Sequence, residues 1–272
     1  MFGKLLKYDF RSMFKQFAFI WPAALVLALV NHFTMSAMTT VNGDGILGTS
    51  TAGTTTAGIA MLVYVAILLA MFITAVVFTI QRFYKGVLGD EGYLMHTLPV
   101  RPWQLIGSKL LCAVVTTFLS VVVAVLSILV IMPWSWRDIN AVFRAFGYLF
   151  SHWNMETTQA MWGLLELLLL MLVSFATGFL QLYVSMSIGH LFSKNRVALS
   201  VVAFIVINAL MVALMNAVLP WMEHVIVSVF AETSGMWPYH RAVWTIIGVD
   251  FIIAAVYFAG TEYILRRKLN LE

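Results

Sequence analysis

Charged residues make up only 10% of this 272-residue sequence, against about a quarter in an ordinary soluble domain. With 62% hydrophobic residues and a mean hydropathy of +0.93, there is too little polar surface to cover a globule. A single cysteine, Cys112, excludes an intrachain disulfide and says nothing about redox compartment. No G-x-x-x-x-G-K-[ST] stretch is present, so the chain has no loop to cradle ATP phosphates. There is no H-E-x-x-H to hold zinc and no G-x-S-x-G to frame a nucleophile. No TVGYG-like ion filter appears either. The six histidines are scattered and read as polar surface or interface groups. Neither an enzyme nor a metal or cofactor site is predicted. The net charge of +4 would suggest nucleic acid in a soluble protein, but its distribution points to a bilayer instead.

What the sequence does have is long apolar runs, several near or above the ~20 residues that cross a bilayer. They predict an all-α membrane protein, one transmembrane domain over 1–272. Its six spans fall at about 17–37, 58–80, 108–132, 159–192, 197–219 and 243–265. The first run is too long for the apolar core of a cleaved signal peptide. Counting Lys and Arg sets the orientation. With both termini cytosolic, the inner segments hold 13 of the 16 basic residues, leaving Arg137, Arg144 and Arg241 outside. That satisfies the positive-inside rule.

Between the spans lie shorter signals. In residues 1–16, Phe2, Leu6, Phe10 and Met13 recur at helical period, continued by Phe17, while Lys4, Lys7, Arg11 and Lys15 recur on another face. Such a helix lies in the headgroup layer of an anionic leaflet or extends span 1 into the cytosol. Residues 38–57 carry no element signal and read as a flexible outer loop. After span 3, Ile139, Val142, Phe143, Phe146, Leu149 and Phe150 share a helical face, predicting a short interfacial helix. Pro220 reads as the end of span 5, with a short re-entrant or interfacial element over 221–242. The run at 159–192 exceeds what a bilayer core needs, so span 4 must tilt, kink or project.

Intramembrane acids are costly and therefore informative. Glu166 and Asp250 each fall about two turns into spans 4 and 6 from the outer side, with no Lys or Arg at that depth. Two readings stay open. Either they line an outward-opening substrate pathway together with Asn208, or each takes an interhelical hydrogen bond from Asn208, Asn216 or Gln181.

The longest polar interruption, 81–107 between spans 2 and 3, is cytosolic by the charge count. It contains Asp90-Glu91-Gly92-Tyr93-Leu94, then Thr97-Leu98-Pro99-Val100 and Gln104-Leu105, and Ser108-Lys109-Leu110-Leu111 follows at the start of span 3. This E-G-Y-L, T-L-P-V and S-K-L-L series resembles the loop between spans 2 and 3 in permease subunits of bacterial type-2 ABC exporters. Where many of those permeases have a small polar pair after T-L-P-V, this chain has Arg101-Pro102-Trp103. The resemblance implies a plasma-membrane permease that moves a peptide, drug or lipid-like substrate out of the cell. Its partners would be two cytosolic ABC ATP-binding subunits, which bind the ATP, and a second permease subunit, identical or different. In that reading Asp90, Glu91, Gly92, Tyr93, Leu94, Leu98 and Pro99 form the ATPase-coupling segment. Residue chemistry agrees. Asp90 suits an N-cap, Tyr93, Leu94 and Leu98 supply apolar knobs, Pro99 stops the helix, and Pro102 opens the next, which runs into span 3. The rival reading is a non-transport membrane subunit conferring immunity or sensing, which binds a toxic peptide or a regulatory partner.

Overall fold

The computed structural model describes residues 2–39, 51–89, 101–132, 136–151, 153–192, 194–232 and 237–267. Among these residues the chain is almost entirely helical, without strands. The helices are α1 (Phe2–Phe17), α2 (Ile20–Thr39), α3 (Thr51–Phe83), α4 (Pro102–Ile131), α5 (Trp136–Ser151), α6 (Met155–Gly189), α7 (Arg196–Glu232) and α8 (Trp237–Arg267), with a π-helical turn at Tyr84–Leu88 directly after α3. Among the described residues, six stretches are long and apolar enough to cross a membrane: Leu5–Thr34, Gly58–Leu88, Pro102–Ile131, Thr157–Gly189, Arg196–Ala217 and Pro238–Arg267. The chain is a multi-pass membrane protein by this measure.

Several boundaries differ from the sequence reading, each for a physical reason. Residues 38–39 and 51–57, expected in a loop, are helical. Thr and Gly are weak helix formers, but extending a helix already nucleated by an apolar span adds a hydrogen bond per residue without a new nucleus. Helix α7 does not stop at Pro220 but continues to Glu232. Proline removes one backbone donor and costs ~3 kcal/mol in a helix interior, yet membrane helices accommodate it because neighbouring groups satisfy the freed carbonyl. Helix α6 starts four residues before the expected span because Asn154 caps it. The Asn154 side chain accepts from the Thr157 backbone N–H at 2.9 Å, and Thr157 Oγ1 accepts from the Asn154 N–H at 2.9 Å. Pro102 opens α4, as its fixed φ and absent N–H favour.

The chain divides into two compact units. One comprises residues 7–78 and 115–153. Here the apolar stripe of α1 is turned inward, with Met13 and Phe17 buried while Lys7, Arg11 and Lys15 are exposed. Phe17 meets Phe78 edge-on at 6.0 Å. Ala24 and Ala28 are fully buried, which lets helix backbones approach closely. Polar clasps tie the helices: Trp21 Nε1 donates to Ser120 Oγ (3.1 Å), Asn31 Nδ2 to the Ala60 carbonyl (3.2 Å), Thr116 Oγ1 to Met13 Sδ (3.7 Å), and the Tyr64 and Ser127 hydroxyls pair at 2.7 Å. Helix α5 forms as expected, but Val142, Phe143 and Tyr148 remain exposed.

The other unit comprises residues 1–6, 79–114 and 154–272. Its core gathers Phe83, Val87, Ile106, Leu180, Tyr183 and Tyr257, and Phe83 stacks on Tyr183 at 4.0 Å. A Cβ on Gly86, inside the π-helical turn, would come within 2.8 Å of Lys109 Nζ. The glycine therefore gives the buried lysine room to cross the turn.

Candidate functional site

A row of polar contacts in the second unit runs along the seam between α6 and α8. Glu166 meets His240 and Trp244, Ser174 and Thr177 meet Asp250, and Gly260 approaches Val184. The offset between partners stays near 76 residues down the whole seam, so α6 and α8 run in the same direction, with α7 as the return.

At the N-terminal end of this seam Glu166 is buried and fully engaged. Its Oε2 lies 2.7 Å from His240 Nδ1, and its Oε1 accepts from Trp244 Nε1 at 2.9 Å. An ionised carboxylate only accepts, so with Glu166 charged it is the Nδ1–H that donates. His240 is also buried, whereas the Trp244 ring is about half exposed. Charge-assisted bonds of this kind are roughly twice as strong as neutral ones. They join the two helices where an unpaired carboxylate would be most costly.

Some two turns further on, ~12 Å at the rise of an α-helix, Asp250 is held differently. Ser174 Oγ donates to its Oδ2 at 2.7 Å, and Thr177 Oγ1 lies 3.4 Å from its backbone carbonyl. Its Oδ1 accepts no hydrogen bond among the described residues. Asp250 is half-buried, while Ser174, Gly178 and Gly248 around it are exposed, and a Cβ built on either glycine would meet nothing within 4 Å. Because α8 begins at Trp237, Asp250 lies nearer the middle of its helix than the sequence reading placed it.

The two acids thus separate: one is a closed clasp, the other an open carboxylate. Asn208 joins neither, since its Nδ2 donates to the Phe204 carbonyl of its own helix at 3.2 Å. Neither Asn216 nor Gln181 bonds an acid among the described residues. Gln181 shares a level with Tyr257 by the 76-residue offset, and both leave a buried polar atom, Nε2 and Oη, without a partner. The actual partners, His240, Trp244 and Ser174, carry no local sequence signal. They are found only by setting the two helices in register. His240 in particular reads as a surface histidine and is buried. No group of three or more His, Cys, Asp or Glu is placed to hold a metal ion among the described residues.

Residues 90–100, with Asp90, Glu91, Gly92, Tyr93, Leu94, Leu98 and Pro99, lie outside the described residues. Their flanks are described. Before them the π-helical turn ends with the Gly89 N–H donating to the Tyr84 carbonyl at 2.7 Å. After them the Gln104 N–H donates to the Arg101 carbonyl, and the Arg101 N–H to Gln104 Oε1, closing the start of α4.

No family model, curated protein or solved structure matches the chain.

Proposed function

We propose that the chain is the membrane-spanning permease subunit of an ATP-driven ABC exporter, seated in a bacterial plasma membrane with both termini in the cytosol. The observation that carries this reading is the E-G-Y-L and T-L-P-V pair between two helices long and apolar enough to span a membrane, with S-K-L-L in the second and third turns of the latter helix. Its ATP would be bound and hydrolysed by separate cytosolic subunits, and a second permease subunit would complete the passage.

The surroundings of the series favour a coupling role. The π-helical turn Tyr84–Leu88 leads into it and α4 leads away without interruption to Ile131. A displacement of the segment would therefore be passed to α3 and α4 as a tilt of both.

In this reading Asp250 is the residue of the pathway that meets substrate. It has an unengaged oxygen, lies near mid-helix and borders exposed small residues, so a cationic or polar group can approach it. Glu166 serves as the fixed clasp that holds α6 and α8 together beside the path. The exposed apolar residues of α5 suit the headgroup layer.

The test is co-expression with a neighbouring gene product that carries a Walker A lysine, followed by detergent pull-down and ATPase assay. Tyr93→Ala with Leu94→Ala is expected to abolish co-purification or stimulation of the ATPase. An intact, stimulated complex would overturn the coupling assignment.

A further inference from the structure

We propose that the groove between the end of α3, the end of α6 and the start of α7 seats one acyl chain of an anionic phospholipid, its phosphate held at the basic turn 194–196. The inference rests on the spans crossing a bilayer and is independent of the exporter reading.

The groove has a volume of about 320 Å³ and is lined by Ile80, Tyr84, Leu182, Met186, Val197 and Phe204, with Ser185 and Ser200 in its wall. That volume lies at the lower end of small-ligand sites, about 300–1,000 Å³. Both serine hydroxyls are already spent. Ser185 Oγ donates to the Gln181 carbonyl at 2.7 Å, and Ser200 Oγ to the Arg196 carbonyl at 2.8 Å. Apart from the Tyr84 hydroxyl, the wall offers a guest no polar side chain with a proton left to donate. A hydrocarbon chain requires none, whereas a peptide or a sugar would lose its hydrogen bonds to water on entering.

Apolar fit alone would not select a lipid, because bulk lipid tails are as apolar as the groove. Selection comes from charge at the mouth. Lys85 follows the groove-lining Tyr84 in the π-helical turn, Lys194 lies in the connection after α6, and Arg196 opens α7. Segment 181–204 contains no Asp or Glu, and neither does 79–89; Asp90 and Glu91, next in sequence, lie outside the described residues. Lys85 and Lys194 are exposed. The positive field of Arg196 reaches His190, where it adds to burial in holding the imidazole below its usual pKa. His190 stands 5.0 Å from the groove-lining Tyr84 ring. Its Nε2 is buried and unpartnered, a second polar group at the same mouth. Basic pockets between membrane helices at the headgroup level are sites for anionic lipid heads. The turn occupies that level, since one span ends at Gly189 and the next begins at Arg196.

The test is native mass spectrometry of the purified full chain titrated with dioleoyl-phosphatidylglycerol or dioleoyl-phosphatidylcholine. One tightly retained phosphatidylglycerol is expected, favoured over phosphatidylcholine by roughly fivefold or more, about the selection one basic residue near the surface provides. Val201→Trp fills the groove from a position that is already half exposed, and is expected to remove that adduct. Val197→Trp, more exposed still, is the second filling variant and should do the same. Lys85→Gln combined with Lys194→Gln should bring phosphatidylglycerol to the phosphatidylcholine level. Inorganic phosphate in excess should leave the adduct in place. Equal retention of the two lipids by the unaltered chain overturns the proposal, as does an adduct that survives both tryptophan variants. Displacement by phosphate also overturns it, by removing the acyl chain from recognition.

Discussion

His240 Nδ1 on α8 lies 2.7 Å from Glu166 Oε2 on α6, with both side chains buried. Together with the 2.9 Å bond from Trp244, this contact uses both carboxylate oxygens and fixes the register of two helices running side by side. Removing one partner of a buried pair leaves the other uncompensated, at about 3–5 kcal/mol. His240→Ala is therefore expected to cost about 3 kcal/mol of stability. Glu166→Gln keeps one acceptor and offers an amide donor, so about 1 kcal/mol is expected. Trp244→Phe loses a single bond and should also cost about 1 kcal/mol. Thermal unfolding of the three variants in one detergent checks the order. Equal losses would show that the contact is not a hydrogen-bonded clasp.

Gly189 closes α6 against the start of α7. A Cβ there would collide with Ser200 Oγ and lie 2.7 Å from the Arg196 carbonyl. Backbone atoms cannot swing aside as a side-chain tip can, so the two helix ends would have to part. Overpacking of this kind costs typically 1–3 kcal/mol, and Gly189→Val is expected at the upper end, about 3 kcal/mol. Gly178→Ala is the control: its Cβ would meet nothing within 4 Å, and the change should stay within about 0.5 kcal/mol. The comparison is read by thermal unfolding, and similar losses at the two sites would remove the packing argument.

His190, just past the end of α6, gives the protein a pH dependence with a definite sign. Burial, and to a lesser degree the Arg196 charge, lowers its pKa from the usual 6.5. Between the lowered folded value and 6.5 the unfolded chain binds the proton more readily, so stability rises with pH through that window. The contribution is complete above about 6.5 and is lost as the pH falls toward the folded value. Melting curves at pH 7.5 and 5.5 should show a drop that His190→Gln reduces. Arg196→Gln should reduce it less, because burial is the larger cause. A drop of the same size in His190→Gln would assign the acid sensitivity elsewhere.

The spans were legible because an apolar run of some twenty residues has few alternatives, and Pro102 announced the start of α4 through backbone chemistry that acts locally. Pro220 misled for the complementary reason. Its local cost is real, but one lost donor does not end a long helix, and α7 continues past it to Glu232. The stripe of α1 was legible as amphipathic, but the sequence reading assigned it to the headgroup layer or to a cytosolic extension of span 1, whereas Met13 and Phe17 are buried within the protein. The acids were legible as costly residues, yet their partners were not. His240 and Ser174 stand 74 and 76 residues from the acids they meet, and nothing in either sequence neighbourhood records that pairing. The π-helical turn at Tyr84–Leu88 likewise leaves no periodic trace in five residues.

Asp250 is where the exporter reading is most exposed to experiment. Its Oδ2 takes the Ser174 hydroxyl at 2.7 Å, while Oδ1 takes nothing among the described residues and the flanking residues Ser174, Gly178 and Gly248 are open. Asp250→Asn preserves the shape and still accepts from Ser174 through the amide oxygen, but it removes the charge. If the carboxylate meets a cationic or polar substrate group, the loss of one charge-assisted bond, about 1.5–3 kcal/mol, should lower export by about tenfold to a hundredfold. Assembly with the ATP-binding partner should be unchanged. Ser174→Ala frees the second oxygen without removing the charge and should change export less than Asp250→Asn. Glu166→Gln should act mainly on stability, through the clasp. Transport into inverted vesicles, measured beside co-purification, separates these outcomes. Unchanged export in Asp250→Asn would remove Asp250 from the pathway and leave it as a second interhelical tie.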